Sequence, residues 1–158
     1  MTGRSKGAAR AVADLNRGLI LASVEIGAPP ERVFAALTTS ELTQWWGSPD
    51  SYRVTKFTAD LRKGGAWRSD GVSVDGKPFT VRGEILEIEP PRRLLQTNLH
   101  WGVNLITTSR YEIDPIPGGS RVTAWNEGFG VQTQSCDDHV SEWERMLGWL
   151  SDHFPRSA

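Results

Sequence analysis

Cys136 and His139 stand three residues apart where a helical pattern begins. At that spacing an imidazole can take a thiol's proton, and a helix N-terminus lowers a thiol's pKa, so the chemistry on offer is attack by a thiolate. The pattern is incomplete. No third residue orients the histidine, and Asp137 and Asp138 oppose a negative sulfur. General-base chemistry has two candidates: His139, and Glu127, which neighbours Trp125 on a strand face that can turn inward. A surface role competes with each, and no catalytic motif is complete.

The other polar groupings read as structure. His100, His139 and His153 lie in three separate segments without the close spacings of a zinc site. Glu84, Glu87 and Glu89 alternate around Ile85 and Ile88, and in a regular strand Glu84 and Glu87 favour opposite faces, so they make no acid–base pair. Gly64-Gly65 precedes a strand rather than a helix and is a turn, not a phosphate loop. Arg92 and Arg93 follow Pro90-Pro91 and are expected in solvent or beside nearby carboxylates. Neither a metal nor any other cofactor is expected.

Indoles are plentiful: seven Trp, each a large apolar body whose N–H needs a partner. The doublet Trp45-Trp46 precedes the breaker Gly47-Ser48-Pro49-Asp50. Neighbouring side chains on a helix diverge by about 100°. One indole is therefore expected in the core and the other toward the loop, at the rim of a cavity; sealing of the sheet edge by both is the competing reading. Trp67, Phe79, Val81, Trp101 and Trp125 come from strand-like stretches, where alternation sends half the residues to each face. Thr107, Ser109, Tyr111 and Ile113 share the face that reads as inward, opposite Ile106 and Thr108. The candidate ligand-binding set is Trp46, Trp67, Phe79, Val81, Trp101, Ser109, Trp125, Trp143 and Met146, a mainly apolar wall with few polar groups to orient a ligand. Ordinary core packing competes at every aromatic position.

The elements that must position these residues follow from periodicity. Leu19–Ile26 alternates, with Ile20, Ala22, Val24 and Ile26 on one face, and predicts a half-buried strand. A short helix follows from Pro30, with Val33, Phe34 and Leu37 at helical spacing. A second runs from the capping-box pair Thr38 and Glu41, or from Ser40, to about Trp46. Six strand-like stretches come next, punctuated by Asp75-Gly76, Pro90-Pro91 and the turn Pro115–Gly119, which predicts an antiparallel meander. Ser135 and Asp138 have capping-box spacing, and Val140, Trp143, Leu147, Leu150 and Phe154 then define one long amphipathic helix ended by Pro155. Seven strands have one apolar face to cover and only this helix is long enough to cover it. One helix seldom fills a concave sheet, so a cavity between the two is expected, with the short helices near its mouth.

Composition narrows the partners. At 158 residues, 38% hydrophobic and 23% charged, the chain is of globular type and sized for one domain. A formal net charge of −1 carries no footprint for nucleic acid or an anionic membrane. Residues 1–18, with Arg4, Lys6, Arg10 and Arg17, read as a flexible or helical basic extension ahead of a single domain over residues 19–154. The single cysteine precludes an internal disulfide, and no apolar run approaches the ~20 residues of a membrane span or a signal region. A cytoplasmic protein without membrane insertion is expected, and homodimerisation is compatible with this composition.

Four stretches carry a family resemblance: residues 24–47, VEIGAPPERVFAALTTSELTQWWG; residues 58–69, TADLRKGGAWRS; residues 83–97, GEILEIEPPRRLLQT; and residues 141–154, SEWERMLGWLSDHF. In this order they resemble the homologues of the C-terminal domain of the Hsp90 ATPase activator, a group within the START-related SRPBCC superfamily. The resemblance spans about residues 19–154. It implies an α+β helix-grip (START/Bet v-like) fold: a seven-stranded curved antiparallel sheet on a long C-terminal helix, with two short helices between the first two strands. For function it implies binding of a small hydrophobic molecule, aromatic or lipid-like. Alternatives are a polyketide-cyclase-like enzyme using the same pocket and a chaperone-associated or other protein-interaction module; a fold alone decides among none of these. The eukaryotic activator binds its chaperone through a separate N-terminal domain, for which 158 residues leave no room, so a chaperone partner is the less expected inheritance.

Overall fold

Strand β1, Arg10–Asp14, opens a computed structural model that describes residues 9–100, 105–129 and 133–154. It continues with β2 (Leu19–Ile26), α1 (Pro30–Thr38), a short 3₁₀ helix (Ser40–Gln44), β3 (Arg53–Ala59), β4 (Ala66–Val72) and β5 (Pro78–Glu89). Strands β6 (Arg93–His100), β7 (Ile106–Ile116) and β8 (Gly119–Glu127) follow, and α2 (Thr133–His153) closes the described chain. The strands form one antiparallel sheet in the order β1-β2-β8-β7-β6-β5-β4-β3. From β3 to β8 it is the expected meander, and β2 joins it at the far side through β8.

Among the described residues the sheet has eight strands, not seven. The additional one lies within the stretch expected to be a flexible or helical extension: β1 pairs with β2, and the Ala11 N–H donates to Glu144 Oε2 on α2 at 3.0 Å. Only the small Ala11 and Ala13 of β1 pack on the core, too little apolar contrast over five residues to register as alternation. In β2 the alternation is plain, and Ile20, Ala22, Val24 and Ile26 are all buried.

Pro30 opens α1, Glu31 lies in its first turn, and Val33, Phe34 and Leu37 face the core. The 3₁₀ helix is capped by Thr39, whose hydroxyl accepts from the Glu41 N–H at 3.3 Å, rather than by Thr38 or Ser40. The Thr38 hydroxyl donates instead to the Phe34 carbonyl at 2.7 Å and is buried. Helix α2 starts at Thr133, ahead of the Ser135 start its capping-box pattern suggests. Its inner face presents Trp143, Met146, Leu147 and Leu150, and Phe154 directly follows its last residue; all five are buried. Strand β5 bulges between Ile85 and Glu87, so Glu84 and Glu87, expected on opposite faces, are both exposed. No helix among the described residues is long and apolar enough to cross a membrane.

Where α2 ends, it is tied to the short helices. His153 Nε2 lies 2.7 Å from Glu41 Oε2, and the two terminal guanidinium nitrogens of Arg32, Nη1 and Nη2, donate to the same carboxylate at 3.1 Å. The Arg32 guanidinium lies 5.3 Å from the Phe154 ring centre. Hydrogen bonds from Arg32, helped by His153, hold the Glu41 carboxyl below its ordinary value, although burial opposes the shift. Because folding lowers this pKa, the stabilisation is complete above the ordinary carboxylate range and is lost as pH falls through the depressed folded value. Urea denaturation of Glu41→Gln is accordingly expected to show a lower midpoint than the parent at pH 7, with the gap closing as the solution is acidified.

Candidate functional site

Between the concave face of the sheet and α2 lies a cavity of about 340 Å³. Small-molecule pockets begin at about this size, near ~300 Å³. Its apolar walls are Leu37, Leu42 and Trp46 from the helical segment, Val54, Phe57, Trp67, Phe79 and Val81 from β3 to β5, and Trp143 and Met146 from α2.

Trp45 and Trp46 divide as the sequence analysis expects. Trp45 is 5% exposed and donates its indole N–H to the Ala36 carbonyl at 2.9 Å; Trp46 lines the cavity and donates to the Tyr52 hydroxyl at 3.0 Å. The 3₁₀ helix ends at Gln44, and Trp45 already has non-helical dihedrals, φ −130° and ψ −20°. The two rings consequently stack with centres 5.2 Å apart while their N–H groups find different partners.

On β4 and β5 the aromatics face cross-strand glycines. Trp67 pairs with Gly83 and Phe79 with Gly71 in one register. A Cβ on Gly83 would stand 1.8 Å from the Thr97 carbonyl oxygen and 2.6 Å from Trp67 Nε1. That space lets the indole N–H reach the Thr97 carbonyl, at 2.9 Å. A Cβ on Gly71 would meet the Phe79 ring at 2.4 Å. Both rings are thereby laid along the wall.

One end of the cavity is polar, and alternation on three adjacent strands builds it. Gln96 and Asn98 on β6, Thr107 and Ser109 on β7, and Asn126 on β8 all line the space. Gln96 Nε2 donates to Asn98 Oδ1 at 3.2 Å, and Asn98 Nδ2 donates to Thr107 Oγ1 at 3.2 Å and Ser109 Oγ at 2.7 Å. Asn126 Nδ2 donates to the Thr108 carbonyl at 3.1 Å, while Asn126 Oδ1 accepts the Trp143 indole N–H at 3.0 Å. An indole only donates and a carbonyl only accepts, so these two partners fix which way the Asn126 amide faces.

At the α2 side of the cavity the Tyr52 hydroxyl donates to Glu142 Oε1, and Arg145 pairs with Glu142 Oε2. The Arg145 guanidinium also lies 5.5 Å from the Tyr52 ring centre and 5.2 Å from that of Trp149. Burial, reinforced by the Glu142 carboxylate, pushes the Tyr52 phenol far above its ordinary pKa, which keeps its proton in place.

Trp46, Trp67, Phe79, Val81, Ser109, Trp143 and Met146 are thus brought together around one space, as is His139, whose ring lies 5.1 Å from that of Phe129. Trp125 and Glu127 are not. The inward residues of β8 are Ser120, Val122, Ala124 and Asn126, so alternation sends Trp125 and Glu127 to the outer face. There the Arg110 guanidinium covers the Trp125 ring at 4.2 Å, and Glu127 is exposed. Trp101 lies outside the described residues. Cys136 is fully buried, and burial first, then Asp137 and Asp14, raise its thiol pKa, the reverse of what a nucleophile needs. Among the described residues no three His, Cys, Asp or Glu side chains come together as metal ligands. Tyr52, Gln96, Asn98, Asn126 and Glu142 join the site without having been expected there. Counting β8 inward from Val122 and Ala124 would have found Asn126.

A curved antiparallel sheet gripping one long helix, with a part-polar cavity between them, defines a helix-grip protein. The sequence profile of the family described as Activator of Hsp90 ATPase homolog 1-like protein matches residues 27–154, and the chain belongs to that family. Among solved structures, a protein from Rhodobacter sphaeroides superposes with a TM-score of 0.79 at 19% identity over 92% of this chain and 97% of its own. Protein Ms6760 from Mycobacterium smegmatis does so with a TM-score of 0.79 at 21% identity, over 94% of this chain and 97% of its own. DynU16, a protein of the dynemicin biosynthetic locus, matches with a TM-score of 0.71 at 20% identity, over 86% of this chain and 46% of its own. At these identities the likeness is one of fold. No curated protein matches the chain.

The Trp143–Asn126 bond makes a direct prediction. Trp143→Phe keeps an aromatic body but leaves the buried Asn126 oxygen without its donor, which costs ~1–3 kcal/mol. Urea unfolding is expected to show a loss of that size, and Asn126→Ala combined with Trp143→Phe is expected to lose less than the sum of the two single changes.

Proposed function

We propose that this protein binds a small, predominantly apolar molecule, aromatic or lipid-like, in the cavity between sheet and α2. The observation that carries the reading is the pairing of an aromatic wall with a buried hydrogen-bonding strip at one end, the composition of a site that holds an apolar body and orients it by few polar contacts. A cytoplasmic setting, in which the lone thiol stays reduced, belongs to the same proposal.

A second reading, a polyketide-cyclase-like enzyme working in the same pocket, draws on one observation: His139 and Glu142 are ionisable and line the cavity. Glu127 supports it no longer, because it lies on the outer face.

Native mass spectrometry of the gently purified protein, followed by organic extraction, tests the binding reading. The expected result is a discrete stoichiometric adduct that Trp67→Ala retains less well and that Val81→Trp, which fills the cavity, excludes. A clean unliganded mass, together with no rise in the unfolding temperature at saturating isopropylnaphthalene, would contradict it.

A further inference from the structure

Tyr111 lies on the inward face of β7, is 5% exposed and lines the cavity, with its ring centre 5.8 Å from that of Trp143. Its hydroxyl makes no hydrogen bond to any described residue, whereas the buried amides of Asn98 and Asn126 have partners at both ends. The oxygen is not sealed inside packing either, since the one fully shielded unpartnered side-chain atom among the described residues is Arg110 Nε, on the outer face. An unpaired hydroxyl in a mainly apolar space is unfavourable, and most buried polar groups find a partner.

Two residues earlier on the same face, Ser109 Oγ accepts from Asn98 Nδ2 at 2.7 Å and from Asn126 Nδ2 at 3.4 Å. Those two bonds occupy its lone pairs and leave only its proton to give. The cavity thus offers hydroxyl donors on one strand. Its described lining contains neither Lys nor Arg, so a buried carboxylate or phosphate would find no permanent countercharge, His139 being a cation only when protonated, and would share the lining with the Glu142 carboxylate, which already engages Tyr52 and Arg145.

We infer that the bound molecule is neutral and carries a carbonyl or similar acceptor oxygen that accepts a hydrogen bond from the Tyr111 hydroxyl, a refinement that rests on the binding reading above. Burial raises the phenol's pKa, so that proton stays in place across the neutral range.

Three naphthalenes substituted at one ring position separate the terms: acetylnaphthalene, a neutral ketone; naphthoate, an anion; and isopropylnaphthalene, a hydrocarbon of similar shape. Calorimetric titration of the parent is expected to rank the ketone first. Tyr111→Phe is expected to weaken the ketone about five- to tenfold while leaving isopropylnaphthalene within about twofold, the size of one lost hydrogen bond. The isotope-labelled carbonyl carbon of the bound ketone is expected to resonate downfield in the parent and to move back toward its apolar-solvent position in Tyr111→Phe. Equal ketone affinity in parent and variant, or tighter binding of naphthoate than of the ketone, would overturn the inference while isopropylnaphthalene binding keeps the binding reading intact. Failure of all three to bind the parent would overturn both.

Discussion

The bond from the Trp143 indole to Asn126 Oδ1 joins helix to sheet at the buried end of the cavity, and much of the site's geometry depends on it. With that oxygen held by the helix, the Asn126 amide must turn its Nδ2 toward the Thr108 carbonyl and Ser109. Ser109 then accepts from Asn98 as well, and Asn98 accepts from Gln96. A single helix-to-sheet contact therefore orders a polar strip across β8, β7 and β6. Such a network is advantageous only when its members are satisfied, because the low-dielectric interior strengthens each bond and penalises each missing one.

The same logic explains why the indoles line the space instead of filling it. Trp45, Trp46, Trp67 and Trp143 each donate an N–H to a specific acceptor: the Ala36 carbonyl, the Tyr52 hydroxyl, the Thr97 carbonyl and Asn126. Swinging any of these rings into the cavity would break that bond and leave a donor unpaired in apolar surroundings. Gly83 and Gly71 keep Trp67 and Phe79 flat against the sheet by the absence of a Cβ. At the other end, the Arg32–Glu41–His153 cluster holds the C-terminus of α2 against the short helices, so that the helix is fixed on both sides of the cavity.

Much of this was legible in the sequence where one residue's environment is dominated by period. The alternation in β2, the inward set Thr107, Ser109, Tyr111 and Ile113, and the stripe on α2 all stand as expected. Trp125 and Glu127 illustrate the failure: a large aromatic invites an inward assignment, but strand parity is set by Val122 and Ala124, and an arginine from the next strand covers the indole instead. Strand β1 was illegible because two alanines carry its inner face. The polar strip was only partly legible. Parity with Val122 and Ala124 turns Asn126 inward, but only the pairing of β6, β7 and β8 shows that Asn98 and Asn126 meet at Ser109. The glycines opposite Trp67 and Phe79 belong to the same class, since their role exists only in the cross-strand register.

The central claim is that anchored side chains keep an open space of about 340 Å³ between the sheet and the helix. Diffraction from a crystal held under xenon pressure tests it most directly, because xenon enters apolar cavities that exist and needs no polar partner. The expected result is xenon density bounded by Trp67, Phe79, Tyr111 and Met146, or displacement by xenon of an apolar molecule already bound there. Indole rings turned into that volume, with no xenon site between sheet and α2, would contradict the account.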